Sequence, residues 1–172
     1  MGATLKKLSA LASATALTGA VIFGLPAPQA VAQPPGFPDL NLFNEVDAAQ
    51  FNRPFSYPER WANVYSFFRT PDGLNCAIGP GSWCNGNLPG LPAGQGDSCT
   101  SVHQKRSDQQ FTFDTDDTAC EPTKDKALNP GEKLTDWLTG TTCVVGYGNL
   151  TACINTKSDH GFVLQPSGSW VF

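Results

Sequence analysis

Two cysteine-bounded stretches decide the fold of this chain. CAIGPGSWC occupies residues 76–84, and CVVGYGNLTAC occupies residues 143–153. In each stretch an apolar run leaves the first cysteine, meets the turn-forming pair Pro-Gly or Gly-Asn, and returns to the second cysteine. This pattern is typical of a β-hairpin whose two strands place the cysteines opposite each other. We therefore predict two hairpins, each stapled by a disulfide.

The cysteine count predicts three disulfides, because six is an even number and the chain carries an export pattern described below. Six cysteines allow many connectivities, and sequence alone does not choose among them. The hairpin geometry favours Cys76–Cys84 and Cys143–Cys153, which leaves Cys99 to pair with Cys120. A zinc site or a redox pair is disfavoured, because the chain has no Cys-x-x-Cys and only two histidines. We predict no cofactor and no bound metal.

Strand patterns fill the segments between the cysteines. Residues 61–69 are rich in aromatic residues, and Phe111 and Phe113 alternate with polar residues. Turn residues separate the runs at intervals of about 8–12 residues, a spacing typical of sandwiches and barrels. We predict an all-β fold, a small disulfide-stapled antiparallel sandwich or barrel. Two segments stay open: the chain from Pro38 fits a short helix, with helical spacing at residues 40–46, or a packed extended arm, and residues 133–138 fit either a helix or a strand.

The first 32 residues have the pattern of an export signal. Lys6 and Lys7 precede an uncharged stretch of apolar and small residues over 8–25, and Ala30-Val31-Ala32 is an A-x-A cleavage site. The alternative, a transmembrane anchor, is disfavoured because the stretch is rich in small residues and is followed by prolines. We predict cleavage near Ala32. The mature protein would then be secreted, either extracellular or associated with the cell wall, without a transmembrane segment.

Such cleavage divides the chain into three predicted regions. These are a signal peptide over 1–32, a flexible leader and N-terminal arm over 33–60, and a six-cysteine β domain over 61–172. The loss of Lys6 and Lys7 leaves nine of the 11 basic residues against 15 acidic ones, a net charge of −6. A chain this acidic lacks the positive surface that binds phosphate backbones, so we predict no nucleic-acid partner.

The two histidines, His103 and His160, are the candidate catalytic bases, because His is the commonest general base. Ser158-Asp159-His160 puts a hydroxyl, a carboxylate and an imidazole in a row, which makes Asp159 the candidate acid partner. However, neighbours along a strand point to opposite faces, and the G-x-S-x-G motif is absent. We interpret Asp159 and His160 as a turn and a strand start, and His103 as a solvent-facing strand residue.

Asp114, Asp116 and Asp117 are candidate calcium ligands, because Ca²⁺ is bound by clustered carboxylate oxygens. Their order lacks both the D-x-[DN]-x-[DN]-G pattern and the Glu that completes an EF-hand loop. We interpret the segment as a solvated acidic loop next to Cys120.

The aromatic residues supply the candidate binding surface. Trp83 and Tyr147 lie near the turns of the two stapled hairpins, where an exposed aromatic on a rigid support is a sensible contact residue. Tyr57, Trp137 and Trp170 are also candidates for a sugar-stacking platform, but core or rim packing explains them more simply. The segment 86–97, rich in Gly and Pro, predicts a long loop, which is another common place for binding sites.

The order of several short motifs resembles a known group of proteins. FFRTPDGLNC at 67–76, WC at 83–84, the stretch at 143–153 and DHGFVL at 159–164 follow the pattern of small six-cysteine secreted proteins of actinobacteria, mycobacterial ones in particular. FPDL at 37–40 is similar to the start of those proteins. That family has no assigned activity. The resemblance therefore implies an exported, disulfide-bonded domain of the cell envelope or culture medium, and no catalytic residues.

These features predict a secreted, non-catalytic binding or interaction module with a ligand in the bacterial cell envelope or extracellular medium. Two alternatives stay open, a small envelope hydrolase that uses a histidine base and a structural envelope protein. The hydrolase predicts a deep pocket with a histidine beside a carboxylate. The binding module predicts exposed aromatics on the hairpin tips, and the structural protein predicts neither feature.

Overall fold

A computed structural model describes residues 33–53, 65–91, 99–116 and 120–172, with only the backbone of Asp116. The predicted signal peptide over 1–32 lies outside these described residues, which all belong to one compact unit. The described part of the chain is mostly β. Its strands are β1 (Asn44–Glu45), β2 (Ser66–Arg69), β3 (Asn75–Ile78), β4 (Trp83–Gly86), β5 (Cys99–His103), β6 (Thr112–Asp116), β7 (Glu132–Asp136), β8 (Thr141–Val145), β9 (Thr151–Asn155), β10 (His160–Leu164) and β11 (Trp170–Val171).

The strands form two sheets. The five-stranded sheet has the order β2-β3-β4-β5-β6, and all its neighbouring pairs are antiparallel. The six-stranded sheet has the order β1-β7-β8-β9-β10-β11, in which β1 pairs with β7 in parallel and the other pairs are antiparallel. Apart from the β1–β7 pair, neighbours in each sheet are consecutive in the chain. The two sheets are therefore simple meanders built from hairpins.

Both stapled hairpins form as predicted. Cys76 lies directly opposite Cys84 in the β3–β4 pair, with Cα atoms 4.1 Å apart. Cys143 lies opposite Cys153 in the β8–β9 pair, with Cα atoms 4.0 Å apart. A tight turn fixes which residues meet across two antiparallel strands, which is why the cysteine spacing and the turn residues together identified the pairs.

The predicted strand pair at 99–105 and 109–114 is also present, as β5 and β6. Cys99, at the start of β5, is bridged to Cys120, which completes the predicted set of three disulfides. The strand predicted at 61–69 is present as β2 from Ser66 onward, and its residues 61–64 lie outside the described residues. In the long loop predicted at 86–97, residues 92–97 lie outside them as well.

One hydrophobic core lies between the two sheets, so the fold is a sandwich. Phe68 and Val102 from the five-stranded sheet and Leu134 from the six-stranded sheet are fully buried in it. Phe111, just before β6, meets Phe162 of β10 edge to face, with ring centroids 5.0 Å apart. Both hairpin disulfides belong to the same core. Burial of each large apolar side chain stabilises the fold by about 1.5–3 kcal/mol.

A second apolar cluster covers the opposite face of the six-stranded sheet. Val144, Ile154 and Val163 alternate along their strands with residues of the main core and so point to this outer face. Phe37 of the N-terminal arm packs on them and meets Phe172 edge to face, with ring centroids 5.8 Å apart. Every residue of β8 and β9 is consequently buried.

The N-terminal arm is therefore part of the domain, as the packed-arm alternative predicted, although the sequence assigned residues 33–60 to a region separate from the β domain. Its strand β1 pairs with β7, and the Lys133 ammonium donates to the Leu40 carbonyl, 3.1 Å away. The short helix predicted near residues 40–46 is a 3₁₀ helix, Leu40–Leu42, and a second one spans Ala48–Phe51. Residues 54–60 lie outside the described residues.

The ambiguous segment at 133–138 is strand β7 up to Asp136, and Trp137 and Leu138 belong to the turn that follows it. Leu134 points into the core, so the spacing that resembled a helix comes from one buried strand residue and two turn residues. Within the described residues, no helix is long and apolar enough to cross a lipid bilayer.

Candidate functional site

The Ser158-Asp159-His160 sequence does not form a catalytic triad. His160 begins β10 opposite Asn155 of β9, and Asp159 occupies the turn before it with a φ of 58°. The Ser158 hydroxyl donates to the carbonyl of Ser107, 3.0 Å away, and not to the imidazole. Among the described residues, no ion pair joins His160 to a carboxylate. The segment is thus a turn and a strand start, as interpreted from sequence.

Trp83 and His103 are neighbours on the outer face of the five-stranded sheet. Trp83 lies in β4 rather than at the tip of its hairpin, and it faces Ala77 on one side and His103 on the other. Both side chains are half-buried, because alternation sends the adjacent Cys84 and Val102 into the core. Trp83 is therefore a residue of the sheet surface and not the exposed tip that the sequence suggested.

The candidate calcium ligands do not form a described site. Asp114 lies in β6 with an exposed side chain, and its carboxylate accepts a hydrogen bond from the backbone N–H of Thr115, 2.9 Å away. Asp117 and the side chain of Asp116 lie outside the described residues. In the ranges that the structure describes, no three His, Cys, Asp or Glu side chains are grouped as metal ligands would be.

Tyr147 occupies the tip of the β8–β9 turn, where 84% of its surface is exposed. Gly148 and Asn149 follow it with φ values of 71° and 58°, the left-handed conformation that tight turns require. The turn closes through a hydrogen bond from the Gly146 N–H to the Leu150 carbonyl, 2.8 Å long.

Among the described residues, the most exposed pair of neighbouring apolar side chains lies in the β7–β8 turn, and the sequence did not predict it. Trp137 is 78% exposed and Leu138 is 73% exposed, so the expectation that Trp137 serves core or rim packing was wrong. We call these two residues the Trp137 tip. An aromatic and an aliphatic side chain side by side in water are the kind of surface that binds a partner.

Hydrogen bonds within the turn hold the Trp137 tip in one conformation. The Asp136 carboxylate accepts from the Leu138 backbone N–H at 3.0 Å and from the Thr139 hydroxyl at 2.6 Å. The Gly140 N–H donates to the Asp136 carbonyl at 2.8 Å, and Gly140 has a φ of 82°. Asp136 thus ends the strand and shapes the turn with its own side chain, as Asp does in tight turns.

A second set of bonds ties the Trp137 tip to the neighbouring β9–β10 turn. The Lys157 ammonium donates to the Leu138 carbonyl at 2.7 Å, and the Asn155 amide donates to the Thr139 carbonyl at 3.1 Å. The Thr156 N–H donates to the Gly140 carbonyl at 3.0 Å. None of these bonds uses the indole or the leucine side chain, so the turn does not need either of them for its shape.

Two clefts flank the indole of Trp137. One has a volume of about 300 Å³ and is walled by the second 3₁₀ helix and Tyr65. The other has a volume of about 180 Å³ and lies beside Glu45 and Lys133. Trp137 and Thr135 line both clefts, so the two clefts adjoin at these residues.

The walls of these clefts are mostly apolar, and they carry a few hydroxyl and charged groups. The Thr135 hydroxyl donates to the Glu45 carboxylate at 3.0 Å and lies 3.1 Å from the Thr142 hydroxyl. Glu45 is compensated by Lys133, whose ammonium is 3.9 Å from its carboxylate. The clefts therefore offer hydroxyl and carboxylate oxygens beside an aromatic ring, without a strong field of either sign.

A third cleft lies at the other end of the sandwich. It has a volume of about 400 Å³ and lies between the end of β2, the start of β3 and residues 122–124. Beneath it, Arg53 makes a bidentate ion pair with Asp125, with N···O distances of 3.1 Å and 2.9 Å. Burial raises the pKa of Asp125, but hydrogen bonds from Arg53 and Thr123 and the charge of Arg53 outweigh burial and hold that pKa below its usual value.

Comparisons of the chain with protein-family models, with curated protein sequences and with solved structures find no match. The assignment of a function therefore depends on the residues and geometry described above.

Proposed function

We propose that this protein is a secreted, non-catalytic binding module of the bacterial cell envelope, and that it binds a neutral polysaccharide at the Trp137 tip. The observation that carries the proposal is the exposure of Trp137 and Leu138 on a turn that is locked by hydrogen bonds. Leaving Leu138 in water forgoes about 1.5–3 kcal/mol of burial free energy. A contact role accounts for that cost, since the fold does not use either side chain.

The rigidity of the turn favours binding over simple exposure. A ligand that contacts a flexible loop must first order it, and each immobilised side chain costs about 0.5–1.5 kcal/mol. Asp136 and Lys157 already hold the backbone of the Trp137 tip in place. The tip is consequently preorganised for a partner.

The chemistry around the indole favours a polysaccharide. A sugar ring has an apolar face of C–H groups and a polar edge of hydroxyls, and an aromatic ring flanked by hydrogen-bonding groups matches both. Two adjoining clefts that both include Trp137 suit adjacent sugar units of one chain that contacts the indole. Glu45 is offset by Lys133, and Asp136 is the remaining charged side chain of the two linings, so the clefts favour a neutral polymer over an anionic one.

A lipid surface is less well matched. Surfaces that bind membranes combine apolar residues with clusters of Lys and Arg that attract anionic lipids. The Trp137 tip has Asp136 beside it and two dispersed cations, Lys157 and the Glu45-paired Lys133, in a chain whose net charge is −4. Lipid is accordingly the alternative occupant that the experiment below tests.

The test is co-sedimentation with protease-treated bacterial cell walls and with a neutral polysaccharide fraction extracted from them, using Trp137→Ala and, as a matched control, Tyr147→Ala. Both residues are exposed aromatics on hairpin turns, so neither change disturbs the core. We expect Trp137→Ala to weaken binding by about 10- to 30-fold, as for a hot-spot residue, and Tyr147→Ala to change it by less than about twofold. Circular dichroism and thermal unfolding verify that both variants fold.

Three outcomes would overturn the proposal. Wild-type protein that binds neither fraction removes the envelope function itself. Binding that Trp137→Ala leaves unchanged removes the site. Binding to vesicles of zwitterionic and anionic lipid, without binding to polysaccharide, replaces the proposed ligand by a membrane.

The hydrolase alternative predicted a deep pocket with a histidine beside a carboxylate. His103 and His160 line none of the three clefts described above, and within the described ranges neither is paired with an acid. No observation favours that function over binding.

A further inference from the structure

The third cleft differs from the two at the Trp137 tip in its charge. It is lined by Arg69, Gly73, Asn75, Pro122, Thr123 and Lys124, a set that contains two cations and no carboxylate. The chain as a whole carries a net charge of −4. The charged side chains of this lining are therefore all positive in a chain that is acidic overall. The overall charge of the protein would not attract an anion to this cleft.

The guanidinium of Arg69 is held at Nε, and its two terminal nitrogens are open to a ligand. Its Nε donates to the carbonyl of Asp125 at 3.1 Å, which fixes the plane of the guanidinium. Its two terminal nitrogens make no hydrogen bond with any described residue. A guanidinium fixed at Nε and open at its terminal nitrogens is preorganised for a carboxylate or phosphate, which it binds through two parallel hydrogen bonds.

The ammonium of Lys124 is the second cation of the cleft, and no described carboxylate pairs with it. In the part of the chain that the structure describes, its ammonium makes no ion pair, whereas the neighbouring cations are engaged: Arg53 with Asp125, and Lys126 with Gln50. Asp125, the closest acid in sequence, is occupied by Arg53. The cleft thus keeps two positive charges that no described carboxylate neutralises.

The wall that carries Lys124 is fixed to the five-stranded sheet. The Asn75 amide donates to the Glu121 carbonyl at 2.8 Å, and the Asn75 side-chain oxygen accepts from the Thr123 N–H at 3.3 Å. Further along, the Arg69 N–H donates to the Lys126 carbonyl at 3.0 Å, and the Leu128 N–H donates to the Arg69 carbonyl at 3.0 Å. Residues 121–128 are therefore tied to Asn75 at the start of β3 and to Arg69 at the end of β2, which holds this wall of the cleft in place.

We propose that this cleft is a binding site for an anionic group, a carboxylate or phosphate, that Arg69 holds in a bidentate contact and Lys124 neutralises. The volume of about 400 Å³ falls within the range of small-ligand sites. The site is independent of the Trp137 tip, because the two lie at opposite ends of the strands. The site lies where β2 ends and β3 begins, and the β3–β4 and β5–β6 turns lie at the other end. The Trp137 tip belongs to that other end, because Ser158 of the adjacent β9–β10 turn donates to the Ser107 carbonyl in the β5–β6 turn.

The experiment is an NMR titration of the full mature chain with inorganic phosphate and, separately, with succinate, at constant ionic strength. Lys124→Gln is the main variant, since this exposed side chain has no contact that the fold needs. Lys105→Gln is the matched control, because it makes the same charge change on an exposed residue in the β5–β6 turn at the other end. Arg69→Lys tests the bidentate contact while retaining the charge.

We expect saturable shifts at Gly73, Asn75 and Thr123, about tenfold weaker binding for Lys124→Gln and Arg69→Lys, and a change of less than about twofold for Lys105→Gln. The preferred probe, phosphate or succinate, identifies the source of the anion. Two results would overturn the proposal: no saturable shift with either probe, or equal weakening by Lys105→Gln and Lys124→Gln, which would reduce the effect to overall charge. Trp137→Ala should bind both anions as wild type does, so failure of the polysaccharide proposal leaves this one standing.

Discussion

The β7–β8 and β8–β9 turns each present an exposed aromatic residue, at opposite ends of the same strand, but their surroundings differ. Trp137 is 78% exposed and Tyr147 is 84% exposed. The Trp137 turn is bonded to the neighbouring β9–β10 turn through Lys157 and lies between two clefts. The Tyr147 turn closes on itself, through the bond from Gly146 to Leu150, and lines none of the three clefts.

This difference shows that exposure alone is a weak guide to a contact site. A ligand at Tyr147 gains the surface of a single ring. A ligand at Trp137 gains the ring and the walls on both sides of it at the same time. Since binding energy concentrates where an anchor residue lies next to a pocket, the two turns are expected to differ in function although they match in exposure.

The largest expected effect comes from removing the bridge beneath the Tyr147 turn. The double variant Cys143→Ala/Cys153→Ala takes away a disulfide that lies in the main core. We expect the free energy of unfolding to fall by about 2–4 kcal/mol, measured by urea denaturation, because the unfolded chain regains the freedom that the bridge restricted. Polysaccharide binding by the folded fraction should be unchanged, because Asp136 and Lys157 shape the Trp137 turn without the bridge.

Loss of binding by a variant that remains folded would contradict the comparison, since it would mean that the two turns are coupled through β8. Unchanged stability would contradict the assignment of the bridge to the core. The variant Cys99→Ala/Cys120→Ala, which removes the third disulfide, is the control for the general effect of losing one bridge.

The hairpins could be predicted from sequence because everything that defines them is local. Cys143 and Cys153 are separated by a short stretch that contains the glycines of the turn, and the partner strands adjoin it. The same holds for the disulfide between Cys76 and Cys84. Apolar runs and turn residues therefore identified strands β3, β4, β8 and β9, and the all-β fold with them.

The Trp137 tip could not be predicted in the same way, because the spacing of Leu134, Trp137 and Leu138 matches one face of a helix. The available signal was Asp136 before the pair and Gly140 after it, a combination that favours a tight turn. Nothing local indicated which residues the N-terminal arm packs against. Phe37 is buried against Phe172, at the far end of the chain, so only the folded sheet brings the two together.

The anionic cleft depends on long-range contacts as well. Arg69 and Lys124 approach each other because residues 121–128 run beside β2, through a parallel bridge between Arg69 and Ala127. Nothing in the sequence near either residue indicates this pairing. Side chains on strands and turns can be assigned to elements from sequence, whereas clefts between elements require the tertiary structure.

A matched pair of glycine substitutions gives an effect of intermediate size. Gly140 and Gly148 have φ values of 82° and 71°, so an alanine at either position costs about 1–2 kcal/mol of stability. Only at Gly140 would the added methyl carbon lie 2.9 Å from the Lys157 side chain, while nothing lies within 4 Å at Gly148. Displacing Lys157 removes its bond to the Leu138 carbonyl.

We therefore expect the two variants to lose similar stability and to differ in binding. Gly140→Ala should weaken polysaccharide binding by about 2- to 10-fold, the equivalent of one hydrogen bond, and Gly148→Ala should leave it within about twofold. Thermal unfolding and co-sedimentation measure the two quantities. Equal weakening by both variants would show that strain, and not the position of Lys157, governs the Trp137 turn.

The smallest expected effect is the pH dependence of the ion pair between Arg53 and Asp125, at the end of the molecule opposite the Trp137 tip. Because the pKa of Asp125 is held below its usual value of 3.8 in the folded protein, the unfolded chain binds that proton more readily. The stabilisation from Asp125 is therefore complete above about pH 3.8 and is lost as the pH falls through the lower pKa of the folded protein.

Since Arg53 is 41% exposed, solvent screening limits this loss of stability at low pH to less than about 1 kcal/mol. NMR resonances of Thr123 and Lys124 should shift across this transition, because the Thr123 hydroxyl donates to the Asp125 carboxylate. Trp137 and Leu138 respond to a different acid, since the Leu138 N–H donates to the Asp136 carboxylate. Arg53→Gln should raise the pKa of Asp125, since burial then acts without its compensating charge. This variant should move the midpoint observed at Thr123 and leave the pH response of Trp137 and Leu138 unchanged. A changed response at Trp137 would show that the two ends respond as one unit, and the division of the molecule into two independent sites would then be wrong.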